Sequence, residues 1–446
     1  MRITGRPLPS SKSLIGAVIV LLATVQAAAR EDTPPETEFY GSYRLRFENL
    51  DNPFRTGNGS DQLLLSRLLA GARAEGEHLF GNLELEDSRA WYGDAGTPLG
   101  TDDVNSLELL QTYIGWRGGD ADNRFALKAG RMTLDLGSRR LLARNHFRNT
   151  LNAFTGGHAD WRRGDWRWQA FYTSPVQRLP GDRGALVDNR RATDRSHSQV
   201  QFWGLHAAAT PDSGNHWEAY LLGLEEDDRP GFATRNRNIA TAGTRLLRAP
   251  TANQWDYEVE AAYQFGHSRA SASSGEKLLH RAGFVHLHGG YQFDDALRSR
   301  LVLQADYASG DSDPTDGENN RFDTLYGARR FEFGPTGIYG AFARGNILSP
   351  GVRWQFRANR AVSGFVGYRA VWLASERDSL TTANIGNSDG ERFAGHQLEA
   401  RLRLQPTTGL RAEFGGAYLD KGDLFDDSSA DSGNTFYWYS QLAYIL

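Results

Sequence analysis

Arginine is the residue whose placement carries chemistry in this sequence. Arg44, Arg46, Arg67 and Arg73 near the start, and Arg353, Arg369, Arg401, Arg403 and Arg411 near the end, occupy the polar positions of alternating segments. A guanidinium grips a carboxylate through two parallel hydrogen bonds, so rows of Arg along one wall suit acidic solutes. Far from both groups, Asp256, Glu258 and Glu260 alternate with Tyr257 and Val259. Charged rows of this kind set ion selectivity in a narrow pore. The plainer use of the same residues is polar fill, with pairs such as Glu399 and Arg401 packing a lumen. Only four of the 50 basic residues are Lys (Lys12, Lys128, Lys277, Lys421). A GC-rich genome biases a chain that way, and so does selection for two-toothed binding of carboxylates.

Other constellations are weaker. His286 and His288 share one strand face, but the sequence places no acidic or His partner beside them. No metal and no cofactor is therefore expected. Asp311, Asp313, Asp316 and Glu318 have Ca²⁺-loop chemistry one residue out of the EF-hand register, and a solvated acidic loop accounts for them. Ser196-His197-Ser198 sets a nucleophile beside a base without a nucleophile elbow, so no enzymatic activity is expected. Asn58-Gly59-Ser60 matches a glycosylation sequon, a short match that means little by itself.

These side chains need strands to hold them. In Trp255–Phe265 the odd positions are Trp, Tyr, Val, Ala, Tyr and Phe, and the even positions are Asp, Glu, Glu, Ala and Gln. Leu398, Ala400, Leu402 and Leu404 alternate with Gln397, Glu399, Arg401 and Arg403. Phe39, Tyr43, Leu45 and Phe47 face away from Tyr40, Ser42, Arg44 and Arg46. A period of two with one apolar face is the mark of a half-buried strand.

The linkers decide what the strands build. Short ones (75–81, 117–123, 162–165, 210–215, 293–297, 357–361 and 405–409) take turns with long polar ones (51–61, 89–103, 173–198, 225–238, 310–350, 375–391 and 420–434). Short turns on one side and long loops on the other describe an all-β fold: a single transmembrane, antiparallel, up-and-down β-barrel of the outer membrane. Counting segments predicts about 18 strands with both termini periplasmic. Closure then joins the last strands to the first, merging the two Arg groups into one wall opposite Asp256, Glu258 and Glu260.

Composition agrees. The 446 residues have a mean hydropathy of −0.54, too polar for a helical membrane bundle. No Cys is present, which removes disulfides, thiol chemistry and a lipoprotein anchor. The net charge of −4 gives no sign of a nucleic-acid partner. Arg2, Arg6 and Lys12, an apolar run from Leu14 to Val25 and Ala27-Ala28-Ala29 read as a secretory signal peptide spanning 1–29, leaving 30–446 as the barrel. Trp91, Trp116, Trp168, Tyr291, Tyr307, Trp354, Trp372, Tyr418 and Trp438 fall near strand ends, where barrels carry aromatic girdles. Trp438, Ser440, Leu442, Tyr444 and Leu446 close the chain with a mostly apolar alternate face.

From Leu127 to Leu142 the sequence resembles the alginate export family, whose barrels carry Gly-Arg-Gln-x-Leu-x-x-Gly-x-x-Arg-Leu. Gly130, Arg131, Leu134, Gly137, Arg140 and Leu141 fall on that pattern, and Met132 replaces the Gln. Phe154-Thr155-Gly156 stands where the family has Phe-Asp-Gly. The Leu83–Trp91 stretch resembles the family strand ending in Asp-Ser-Arg, and Leu325 through Gly340 to Asn346 resembles its long inward loop. The resemblance implies a bacterial outer-membrane channel, with Arg131 and Arg140 joining the lumen residues. Its expected surroundings are outer-membrane lipid, lipopolysaccharide and the barrel-assembly machinery.

The expected solute is an acidic saccharide or another small anion. A general, weakly selective porin for small organic acids is the alternative, and an outer-membrane enzyme or adhesin a distant third. The loop 310–350 is expected to fold inward, because Phe333–Gly340 is too apolar for a free loop. Changing Arg67 and Arg401 to Glu is expected to shift selectivity toward cations.

Overall fold

The computed structural model describes residues 36–53, 60–211, 214–380, 390–426 and 433–446. The signal-peptide segment and the Asn58-Gly59 half of the sequon lie outside them.

Eighteen strands form one closed antiparallel barrel. They are β1 (Glu36–Asp51), β2 (Ser60–Glu75), β3 (Leu79–Trp91), β4 (Asn105–Gly119), β5 (Asn123–Met132), β6 (Phe154–Arg163), β7 (Trp166–Gln177), β8 (Val200–Ala209) and β9 (Asn215–Glu226). The circuit continues through β10 (Asn238–Arg248), β11 (Gln254–Ser268), β12 (Leu278–Gln292), β13 (Arg300–Ala308), β14 (Ile347–Arg357), β15 (Val362–Trp372), β16 (Phe393–Leu404), β17 (Leu410–Lys421) and β18 (Thr435–Ile445). Two-residue pairings at Arg195–Ser196 and Glu318–Asn319 lie in the long loops. So does a one-turn helix, Arg183–Val187, whose first turn is capped by the Asp182 carboxylate.

Closure follows from the register. β1 pairs with β2 on one side and with β18 on the other, from Ser42 opposite Ile445 to Asp51 opposite Phe436. In a bilayer no water is available for an open edge, so every strand must find two neighbours. The same register sets Arg44 directly opposite Arg67. Ala443 stands between Arg44 on β1 and Arg411 on β17, which puts Arg from both ends of the chain at one level of the wall.

The alternation sorts side chains by face. Tyr43, Leu45, Val259, Tyr263, Leu398 and Leu402 are exposed outward, where the bilayer covers them, while Arg44, Arg46, Glu258, Glu260 and Glu399 are buried inward. Trp91, Trp116, Tyr307, Trp354, Tyr418 and Trp438 also point outward, as does the closing row Trp438, Leu442, Tyr444, Leu446.

Two long loops turn into the barrel. Residues 133–153, between β5 and β6, bury Leu134, Leu141, Leu142 and Leu151. Residues 309–346, between β13 and β14, bury Phe333, Ile338, Tyr339 and Phe342, so the apolar stretch does fold inward. All of these but Leu151 join inward residues of the wall such as Phe154, Phe202, Phe284, Tyr437 and Tyr439 in one apolar core inside the barrel, while Leu151 packs with Leu69 and Leu110. The loops also join each other: the Tyr326 carbonyl accepts from the Ala143 N–H and the Tyr326 N–H donates to the Leu141 carbonyl, across a parallel bridge between Leu142 and Tyr326. Two glycines of these loops combine a positive φ with a close approach to a wall carboxylate. Gly137 has φ +50°, and a Cβ there would sit 2.4 Å from Glu218 Oε2. Gly337 has φ +80°, and its Cβ would fall 2.4 Å from Glu48 Oε2. The positive φ strains any other residue at both places, and a Cβ would also push aside the end of a glutamate side chain.

Candidate functional site

A cavity of about 1390 Å³ opens at the end that carries the short turns and both termini. Its wall comes from β1–β3 and β12–β18, and its floor from the inward loops at Asn145–Phe147 and Ala328–Phe331. Eleven arginines line it, against four carboxylates (Glu84, Asp135, Asp294 and Glu413).

The predicted Arg residues divide into three groups. Arg353, Arg401, Arg403 and Arg411 face the cavity from the last strands. Arg401 lies 4.8 Å from the centre of the Phe365 ring and forms no ion pair among the described residues. Arg353 stacks on the same ring at 4.5 Å and donates to the Phe331 carbonyl at 3.0 Å. Arg403 is paired with Glu413, at 2.6 Å, and Arg411 reaches Gln405 at 3.4 Å.

Arg44, Arg46 and Arg67 do other work. Arg44 donates to the carbonyls of His146 (3.0 Å), Phe147 (3.3 Å) and Arg148 (2.8 Å) and to the Asn149 side chain (3.0 Å). Arg67 adds bonds to the carbonyls of His146 and Arg148, and Arg46 one to Phe147 at 2.7 Å. Arg46 also pairs with Glu48 at 2.8 Å and is wholly buried. Three guanidiniums therefore clamp one loop backbone, and the carbonyls use up donors that an anion would need. Phe147 is sandwiched between Arg46 and Arg330, at 4.3 and 4.8 Å from its ring centre.

The remaining predicted residues lie away from the cavity. Arg140 is buried in an ion-pair cluster, where it meets Glu258, Glu260 at 2.5 Å and Glu332 at 2.9 Å. Burial alone would lower its pKa, but Glu332, Glu260 and Glu258 outweigh that and push it well above the usual range. Arg369 is buried against Asp306 at 2.7 Å. Arg73 sits exposed at the mouth, 3.9 Å from Glu38 and from Glu75. Arg131 corrects the sequence reading: it shares the outward parity of Leu127 and Ala129 and donates to the Leu109 carbonyl at 2.9 Å.

The acidic wall is corrected as well. Asp256, Glu258 and Glu260 do face inward, but each is already answered by a cation. Arg300 grips Asp256 (2.9 Å), Arg245 holds Glu258 (2.8 Å), and Arg140 spans Glu258 and Glu260. The field across the barrel is a basic cavity facing a neutralised cluster.

Several cavity residues escaped the sequence reading. Arg300 opens an alternating run with Val302, Gln304 and Asp306, so its parity was a usable signal. Arg139, stacked 4.4 Å from Phe331, and Arg330, paired with Glu399, belong to irregular loops with no period to read. Burial, then Arg144, pulls His146 on the cavity floor down to about 4, so its imidazole is neutral at pH 7. His197 turns its ring nitrogens to Gln177 (2.7 Å) and Arg229 (2.9 Å), while Ser196 bonds Thr155, so the two form no dyad.

A family model described as alginate export matches residues 36–438. No match to the chain is found among curated proteins. Among solved structures the barrel is similar to Pseudomonas aeruginosa OccK5 (OpdH), with a TM-score of 0.59 and 11% identity over 92% of this chain and 98% of that one. It is similar also to the outer membrane protein opdK of Pseudomonas aeruginosa (TM-score 0.58, 13% identity, 92% and 99% covered). Acinetobacter baumannii OccAB1 gives a TM-score of 0.60 at 11% identity, with 92% and 96% covered. At such identities the likeness speaks for the fold.

Proposed function

The chain belongs to the alginate export family and is a bacterial outer-membrane β-barrel, and from that premise we propose that it is a channel passing anionic solutes through its arginine-lined cavity. The observation that carries this reading is the excess of eleven arginines over four carboxylates around that cavity. Positive side chains in a confined pore concentrate anions, and guanidiniums add two-toothed binding of uronate carboxylates. Arg401 and Arg411 are the best placed for it, because neither has an ion pair among the described residues. Delivery of the chain relies on cleavage near Ala29 and on the barrel-assembly machinery, and lipopolysaccharide covers the outward aromatic belt.

A second reading, uptake of small organic acids, is favoured by the loops that meet across the lumen at Leu142 and Tyr326 and at Arg140 and Glu332. A polymer threading the barrel would have to displace both. Reversal potentials in a planar bilayer test the shared claim. The parent should favour anions, and Arg401→Glu combined with Arg411→Glu should move the ratio toward cations. Identical ratios for parent and double variant would reject it. Liposome swelling in glucuronate against oligouronates separates the two solute classes.

A further inference from the structure

Where the barrel wall passes from β11 to β13, Glu258 of one strand comes together with His286 and His288 of the next. Glu258 stands opposite His288, and Glu260 opposite His286, in the β11–β12 register; Asp306 stands opposite His286 in the next. One donor atom from each of Glu258, His286 and His288 lies within 4.8 Å of the other two.

Each donor has one side held and one side open. His286 Nδ1 meets Asp306 Oδ1 at 2.6 Å, and Asp306 is itself fixed by Arg369. In the neutral ring that bond puts the proton on Nδ1 and leaves a lone pair on Nε2; Nε2 is buried with no hydrogen-bond partner among the described residues, on a residue 2% exposed. His288 Nε2 faces Asp256 Oδ1 at 3.5 Å and Arg300 at 3.2 Å, while its Nδ1 turns to Glu258 Oε2 at 3.7 Å. Arg140 and Arg245 both take Oε1 of Glu258, so Oε2 is the oxygen that remains.

We propose that Glu258, His286 and His288 form a binding site for a divalent transition metal of the Zn²⁺ class, inside the barrel wall. Two imidazole nitrogens and one carboxylate oxygen leaving an open position make a common zinc donor set. A carboxylate behind a ligating histidine fixes its tautomer and strengthens it as a ligand. Here Asp306 stands behind His286. The donors must close by about 1 Å to reach zinc–ligand lengths of roughly 2.0–2.2 Å, a movement of side-chain torsions. The surrounding charge allows it: Asp256, Glu258, Glu260, Asp306, Glu218 and Glu332 outnumber Arg140, Arg245, Arg300, Arg344 and Arg369. Entry is from the basic cavity, since Arg300 lines it and His288 is the least buried of the three. The inference holds whichever solute crosses the barrel.

The test uses the full barrel in detergent, without a polyhistidine tag. After dialysis against Zn²⁺, metal analysis should find one ion per chain. Titration with Cu²⁺ should give an electron paramagnetic resonance spectrum with hyperfine structure from two imidazole nitrogens. His286→Gln with His288→Gln should lose Zn²⁺ affinity by at least about 10–100-fold, the loss typical even of supporting groups, whereas His216→Gln at the short-turn end should not change it. A parent spectrum without two nitrogens overturns the proposal, and it does so even if the double variant fails to fold. Equal Zn²⁺ affinity in parent and double variant overturns it as well.

Discussion

Arg140 and Glu332 are 192 residues apart, ride on different inward loops, and meet at 2.9 Å inside the barrel. Arg140 also reaches Glu258 and Glu260 on β11, so one guanidinium ties both loops to the wall. The family pattern that ends in Arg140-Leu141 thereby gains a physical account. Gly137 lets the chain turn inward, Arg140 fastens it, and Leu141 buries against the other loop.

Removing that fastening should open the pore. Arg140→Ala strands Glu258, Glu260 and Glu332 without their shared cation, and breaking a buried pair costs about 3–5 kcal/mol. The wall itself should survive, because its ladder bonds are untouched. Single-channel conductance should rise and become noisier, while the heat-modifiable band on gels persists. Unchanged conductance would mean that the loops are held elsewhere.

Arg67 and Arg401 should behave differently, although the sequence treats them alike. Arg67→Glu sets a carboxylate against the carbonyls of His146 and Arg148, so it should loosen the loop 133–153 and raise its sensitivity to protease. Arg401→Glu should alter ion selectivity with little effect on protease resistance. That shift should be larger at 0.01 M salt than at 0.1 M, as the screening length falls from about 30 Å to about 10 Å. Limited proteolysis and reversal potentials on the two single variants decide the matter.

Side-chain parity sets the cost of new charge. Leu398 is half exposed to the bilayer at the middle of β16, next to the inward Glu399. Leu398→Arg should destabilise the barrel by about 2–4 kcal/mol at the membrane midplane. Urea titration of folding into liposomes would measure it. A loss below about 1 kcal/mol would place Leu398 near the interface instead.

Asp103, in the loop before β4, gives a pH dependence. Burial, reinforced by Asp102, raises its pKa from 3.8 to about 7. Its folded value lies above the unfolded one, so the native state holds the proton more tightly and the charged form opposes folding. The contribution is therefore most favourable below pH ~4, falls as pH rises toward about 7, and is flat above that. Asp103→Asn should flatten that slope and stabilise the barrel at pH 8. The temperature at which the heat-modifiable band is lost, followed from pH 4 to 8, is the measurement.

The fold was legible because lipid and lumen impose opposite demands on neighbouring residues. Gln397–Leu404 and Trp255–Phe265 spell that out, and alternating linker lengths give the topology. The merger of Arg44 with Arg411 follows from closure alone. What escaped depends on register and on where loops end. No local pattern shows that Glu258 stands opposite His288, or that Arg140 finds carboxylates 118 and 192 residues away. The sequence therefore paired histidines with nothing and left the acidic row uncompensated. Arg131 is a different case: counting from Leu127 already points it outward, and the family motif drew it into the lumen.

The basic cavity sits at one end of the barrel only, while the smaller cavity under the long loops presents Arg148 and Arg178. Fixed charge is thus graded along the pore axis, and a graded pore is an ionic diode. If the proposed anion passage holds, anions pulled in through the short-turn mouth should accumulate ahead of the constriction and carry a large current. Drawn the other way they should leave that mouth depleted, and the current should fall. Current–voltage curves from a single inserted barrel should be asymmetric, and the sign of the asymmetry reports which way round the molecule has entered the bilayer.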